Sequence, residues 1–241
     1  KVQDKPRFVL TAPVVALLEF FRTPRVNPQA AESNQETDLM TIEAPNHAHA
    51  TPSQLKLFSR TLDTMATKVA QDEPTLGVEF PHVTAPDGSW IRLPASLSAG
   101  YTGEAWSHGN WLCGFWVGLL FASYLQTKDR KYLVWARERM RLVAQRAEDP
   151  NTHDIGFIFD SSAIPGFHIT GDPWYAGIAL QAADKLRARI VTTRCGAYLA
   201  SWGPMDDPRG RRSSAIDTMA NLSLLYWASN HSGDASFRLA A

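Results

Sequence analysis

The stretch Ser213–Trp227, SSAIDTMANLSLLYW, sets one acid, Asp217, among apolar residues. Ile216, Met219, Ala220, Ser223, Leu224, Trp227 and Ala228 recur at helical spacing. Leu222, Leu225 and Tyr226 carry the apolar character around the rest of the circumference, which predicts a buried helix. Ser214 is placed to cap its start, because a hydroxyl accepts a hydrogen bond from a free first-turn N–H. Asp217 and Asn221 are four apart and share a face. A carboxylate there either completes a capping box with Ser214 or lines a cavity, since an isolated charge in a core is too costly. The stretch alone leaves both open.

Working outward, one corner recurs. Thr127-Lys128-Asp129 precedes Tyr132 and Ala136, and Thr170-Gly171-Asp172 precedes Tyr175 and Ala179. Ser232-Gly233-Asp234 precedes Phe237, Ala240 and Ala241. Each Asp is placed to cap a new helix, and Gly171 and Gly233 to end the segment before. Between the corners, inner and outer segments alternate. Trp111–Leu125 is apolar nearly all round, with Gly114 and Gly118 spaced for close approach of another helix. Arg130–Ala147 is amphipathic and reads as its outer partner. His153–Ser162, an apolar run with polar ends, and amphipathic Pro173–Val191 repeat the design. Ser53–Asp72 reads as a further helix, and Gly196–Trp202 as a loop or short extended piece. Strand patterns are scarce, so the expected fold is all-α, a solenoid or toroid of helical hairpins.

Residues 1–52 read as a partly irregular extension, and 53–241 as the helical domain. Residues 73–109, rich in prolines, glycines and aromatics, read as a long connection of the kind that often carries function. His47 and His49 alternate without a third ligand in view, so no metal is expected there. Lys plus Arg and Asp plus Glu balance at 24 each, which gives no global pull toward nucleic acid or an anionic membrane. The run Arg209–Arg212 is partly offset by Asp206 and Asp207. Two cysteines make no disulfide framework; Cys113 reads as core, and Cys195 as lying before a glycine at a helix end. The apolar segment Phe8–Phe21 is too short to span a bilayer and does not read as a signal peptide. The expected setting is the cytoplasm.

In a toroid, polar groups on or just before inner helices face a shared cavity. Asp154, in His153-Asp154-Ile155-Gly156-Phe157, and Asp217 are the two acids so placed. Carboxylates on separate elements are the usual equipment of glycosidases, although Asp154 also reads as a helix cap and His153 as a hydrogen-bonded loop histidine. The eight tryptophans fit core packing or a sugar-binding cleft.

The motifs Trp111-x-x-Gly114-Phe115-Trp116-x-Gly118, His153–Phe157, Thr170–Asp172, Ala200-Ser201-Trp202 and Ile216–Ser229 occur together and in order. In this the chain resembles glycoside hydrolase family 88, the unsaturated glucuronyl hydrolases, over residues 105–241. The resemblance implies an (α/α)6 barrel, incomplete here, and a substrate with a 4,5-unsaturated uronic acid at its non-reducing end. It implies Asp217 and Asp154 as catalytic acids, and His153, Trp202 and Trp111 as substrate contacts. It also implies a mechanism in which protonated Asp217 gives a proton to C4, and water activated by the same carboxylate adds at C5. Burial on an apolar helix is expected to keep Asp217 protonated. No metal or organic cofactor is implied.

The family continues beyond this C-terminus, and an open toroid is expected to expose inner-helix faces. That predicts self-association or a second chain that completes the ring. Two other readings stay open: a non-catalytic helical module that binds glycan or protein, and a hydrolase of unsaturated rhamnogalacturonyl fragments.

Overall fold

The computed structural model describes residues 51–98, 101–102, 105–106 and 109–241, with 101–102 and 105–106 as backbone only. His47, His49 and Phe8–Phe21 lie outside the described residues. The chain divides into two compact units, Lys1–Leu62 and Asp63–Ala241. Helix α1 (Pro52–Asp72) runs across that division, and everything discussed below lies in the second unit.

The connection expected over 73–109 contains two hairpins. Strands β1 (Glu79–Thr84) and β2 (Trp90–Pro94) pair antiparallel, as do β3 (Tyr101–Thr102) and β4 (Ala105–Trp106). Prolines at 81 and 94 and partly exposed faces kept their alternation from showing in the sequence. Helices α2 (Cys113–Thr127), α3 (Lys131–Val143), α4 (Ile155–Asp160), α5 (Ala163–Thr170) and α6 (Pro173–Arg187) follow. Then come a third hairpin, β5 (Ile190–Thr193) with β6 (Gly196–Leu199), and helices α7 (Thr218–Asn221), α8 (Ser223–Ser232) and α9 (Ala235–Ala240). Helices dominate, as expected. Cys195 lies in the β5–β6 turn rather than at a helix end.

The three corners share one construction. Thr127, Thr170 and Ser232 each donate a hydroxyl to the carbonyl four residues back, and each accepts the N–H of the following Asp at 3.2 Å. The residue between them is left-handed, with φ of 61° at Lys128, 71° at Gly171 and 79° at Gly233. Asp129, Asp172 and Asp234 then accept an N–H two residues on, which satisfies an orphan donor of the next helix. Tyr132, Tyr175 and Phe237 are buried behind the three corners.

Gly114 and Gly118 do admit a neighbour. A Cβ on Gly114 would lie 2.6 Å from Ile158 Cα, and one on Gly118 would lie 2.6 Å from the Ser161 carbonyl. That close contact of α2 with α4 sets the depth at which α4 begins. Arg139, buried on α3, donates from Nε to Glu73 Oε1 at 2.6 Å, and Glu73 Oε2 accepts from Trp116 Nε1 at 2.6 Å. The charge is paired where it would otherwise be unaffordable.

The Ser213–Trp227 stretch corrects its reading most. It is not one buried helix. Residues 213–216 are irregular, α7 spans one turn, and the chain breaks at Leu222 before α8. Leu224, Leu225 and Ala228 are core, but Ile216 is 95% and Met219 73% exposed. Helical spacing cannot tell an apolar surface from an apolar core. Ser214 is not the cap: Asp217 itself holds the N-cap position, with no side-chain capping bond.

Candidate active site

Three extended segments lie side by side and place the acids. Thr152 and Trp202 form an antiparallel bridge, and Gly203 N–H donates to the Asn151 carbonyl at 2.7 Å. Ser201 N–H donates to Ser213 O at 3.0 Å, and Ser201 Oγ accepts from Ala215 N–H at 2.6 Å. The guanidinium of Arg189, buried, donates to the carbonyls of Ala200 (2.8 Å), Gly203 (3.1 Å) and Pro150. One side chain thus holds the first two segments together. Ser201 and Arg189 were missed as site-building residues, because neither type carries a sequence signal for positioning.

The chain then delivers the acids at two helix starts. Asp154 sits just before α4, 5% exposed, with its N–H on Thr152 Oγ1 at 3.1 Å and no capping bond from its side chain. The helix-cap reading of Asp154 is therefore set aside. Asp217 sits before α7 with 41% of its side chain exposed. The burial expected to hold its proton is absent. What faces it instead is His153, fully buried, with Nε2 3.1 Å from Asp217 Oδ1 and 3.6 Å from Asp154 Oδ1. His153 Nδ1 lies 2.8 Å from the Ser201 carbonyl, and its backbone N–H donates to the same oxygen at 2.8 Å.

Asn221 locks the two helix starts. Its Oδ1 accepts from Phe157 N–H at 2.7 Å, and its Nδ2 donates to the Asp217 carbonyl at 3.2 Å. Gly156 makes room for it, since a Cβ there would lie 2.5 Å from Asn221 Cβ.

Trp111, Asp154, Phe157, Trp202 and Asp217 line one cavity of about 210 Å³. Trp111 packs on Phe115 and Phe157, each at 5.9 Å between ring centroids, and the Trp202 ring lies 5.5 Å from the His153 ring. Phe157 was not among the expected site residues, although it ends the His153–Phe157 motif. Buried Asn110 fixes the approach to Trp111: its amide donates to the Leu93 carbonyl at 3.0 Å and its Oδ1 accepts from Leu112 N–H at 3.1 Å. Further back, buried Asp149 accepts from both Ser98 N–H and Oγ, from Asn151 N–H and from Arg146. This ties Ser98 to the turn before His153.

All five expected site residues therefore converge. Among the described residues, His153, Asp154 and Asp217 also form the one His and carboxylate group whose ligating atoms lie within 4.8 Å of one another. The direct 3.1 Å contact between Nε2 and Oδ1 has hydrogen-bond length. Two carboxyls, an imidazole and indole walls suit proton transfer to a sugar.

No family model matches the chain. An unsaturated glucuronyl hydrolase of Bacillus sp. strain GL1 is 31% identical over 179 residues, 71% of this chain and 42% of that protein. Over part of its length, the chain is a glycoside hydrolase family 88-like protein. An unsaturated chondroitin disaccharide hydrolase of Streptococcus agalactiae serotype III is 29% identical over 157 residues, 64% of this chain and 38% of that protein. The crystal structure of the Bacillus sp. GL1 enzyme superposes with a TM-score of 0.60 at 29% identity, over 76% of this chain and 45% of that one. A UGL variant with dGlcA-Glc-Rha-Glc gives 0.59 at 28% identity, over 75% and 45%. The family 88-like fold is that of part of an (α/α)6 barrel, and the chain spans about two-fifths of the length of the curated relatives it matches. Among the described residues no helix is long and apolar enough to cross a membrane.

Proposed function

We propose that the chain hydrolyses oligosaccharides ending in a 4,5-unsaturated uronic acid, with Asp217 as general acid and base and Asp154 assisting. The observation that carries this is the meeting of Asp154 and Asp217 at one aromatic-walled cavity, joined through His153. The similarity to glucuronyl and chondroitin disaccharide hydrolases supports the substrate class.

The substrate is a vinyl ether, nucleophilic at C4. Asp217 gives its proton to C4, and positive charge develops at C5 and the ring oxygen. Water adds at C5 and returns its second proton to the same carboxylate. The resulting hemiketal opens to a C5 ketone, which frees the ring oxygen as a hydroxyl on C1. That C1 hemiacetal expels the neighbouring sugar. Trp111 and Trp202 offer flat apolar walls for the ring, and Asp154 an acceptor for a sugar hydroxyl. The developing cation is stabilised by the Asp154 charge and the regenerated Asp217 carboxylate.

Loss of the ultraviolet absorbance of the conjugated double bond on incubation with an unsaturated uronyl disaccharide tests the reading. Folded protein that leaves the absorbance unchanged would refute it.

One observation favours a second reading, a binding module completed by another chain or copy. Ile216 and Met219 stand exposed on either side of Asp217. A monodisperse monomer with full turnover would eliminate it.

A further inference from the structure

We propose that His153 and Asp217 share a single proton, so that the pair, and not Asp217 alone, is the proton store of the site. The inference rests on the reading of Asp217 as the proton donor and adds a role for His153 beyond contact with substrate.

The argument starts from the ring's other edge. A backbone carbonyl only accepts, so the 2.8 Å contact of Nδ1 with Ser201 O requires a hydrogen on Nδ1. In the neutral ring, Nε2 is then a bare lone pair. It faces Asp217 Oδ1 at 3.1 Å. A lone pair against an ionised carboxylate at that distance is repulsive, and two acceptors do not make a hydrogen bond. One proton between them removes the conflict, as an imidazolium beside a carboxylate or as an imidazole beside a carboxylic acid. The Ser201 contact cannot relax easily, since Ser201 is itself fixed by Ser213 O, Ala215 N–H and His153 N–H.

The surroundings favour that proton. The groups facing the ring are Asp154 Oδ1 at 3.6 Å, Asp217, the Ser201 carbonyl and the Trp202 ring. The guanidinium of Arg189 donates to the carbonyls of residues 150, 200 and 203. Without the shared proton, the bare Nε2 lone pair of the buried ring would face the Asp217 carboxylate, which an anionic uronate also has to approach. Asp217 can thus be half exposed and still deliver a proton. His153 is here a positioning residue: it touches the donor and holds its proton, and it does not itself protonate carbon.

The test is a titration of the histidine rings by two-dimensional proton–nitrogen NMR on the full chain after dialysis against a chelator. The His153 signal is identified by its loss in His153→Gln. The wild-type Nε2 shift is expected to follow a protonation step that moves to lower pH in Asp217→Asn. An unchanged His153 titration in Asp217→Asn overturns the proposal. This readout needs no turnover, so it stands apart from the test of the hydrolase reading. In the active enzyme, His153→Gln is expected to lower kcat roughly 10²-fold, keep KM within about threefold, and move the alkaline limb of the kcat profile to lower pH. A rise in KM with an unmoved pH profile would assign His153 to substrate contact alone and overturn the shared-proton role.

Discussion

Asn221 Oδ1 accepts the backbone N–H of Phe157 at 2.7 Å, and this one bond registers the start of α4 against α7. Asp154 precedes the first helix and Asp217 the second, so the separation of the two acids is set by an amide that touches neither carboxyl.

Removing that amide is expected to loosen the site and the fold together. Asn221→Ala leaves the Phe157 N–H without its partner in a buried position, at a cost of about 1–3 kcal/mol. Gly156→Ala drives a methyl into Asn221 Cβ and is expected to cost a similar amount by overpacking. Urea denaturation of each variant checks this; a variant as stable as wild type would show that the two helix starts are held elsewhere.

Asp217→Asn keeps the shape of the site and removes the acid. Turnover of the unsaturated disaccharide is expected to fall by at least roughly 10²-fold. Stability should change by less than about 1 kcal/mol, because the side chain is half exposed and caps no helix. Circular dichroism and steady-state kinetics on the same preparation separate the two effects.

Asp149 is expected to be structural rather than catalytic. It is buried and paired with Arg146 at 3.2 Å, and it also takes the hydrogen bonds of Ser98 and Asn151. Asp149→Ala removes the buried counter-charge of the Arg146 guanidinium, and the expected loss is about 3–5 kcal/mol. Chemical denaturation measures it.

Asp160, at the end of α4, supplies a pH signature. Burial pushes its carboxyl up to about 6 from 3.8, with a hydrogen bond to Ser223 pulling the other way. The folded state therefore binds this proton more tightly than the unfolded chain. Well below pH 3.8 the group is protonated in both states and contributes no difference. As pH rises toward 6 the unfolded chain ionises first, and stability is lost until the folded group ionises too. Asp160→Asn is expected to stabilise the protein at pH 7 by on the order of 1–3 kcal/mol and to change little at pH 4. An equal effect at both pH values would contradict the assignment.

Much of this was legible from residues that act locally. The Thr/Ser-x-Asp corners form entirely within a few residues, so their spacing announced three helix junctions. Gly114 and Gly118 announced a close crossing. The His153–Phe157 and Ile216–Ser229 motifs pointed to the acids. What stayed hidden depends on distant partners. Whether Ile216 and Met219 are covered is decided by what packs on them, which periodicity does not encode. The three hairpins are short, and the first turns through Pro86 and Gly88, which masks alternation. Ser201 and Arg189 organise the site through backbone carbonyls, and carbonyls leave no mark in a sequence. That an imidazole faces a half-exposed Asp217 is visible only when Nε2 and Oδ1 are placed together.

The most direct measurement of the central claim follows the reaction in deuterium oxide by NMR at early times. The account expects the C4 alkene signal to disappear no later than the neighbouring sugar is released, with one deuterium entering at C4. Release of that sugar while the C4=C5 double bond is still present would place the chemistry at C1 and contradict proton delivery from Asp217 to carbon.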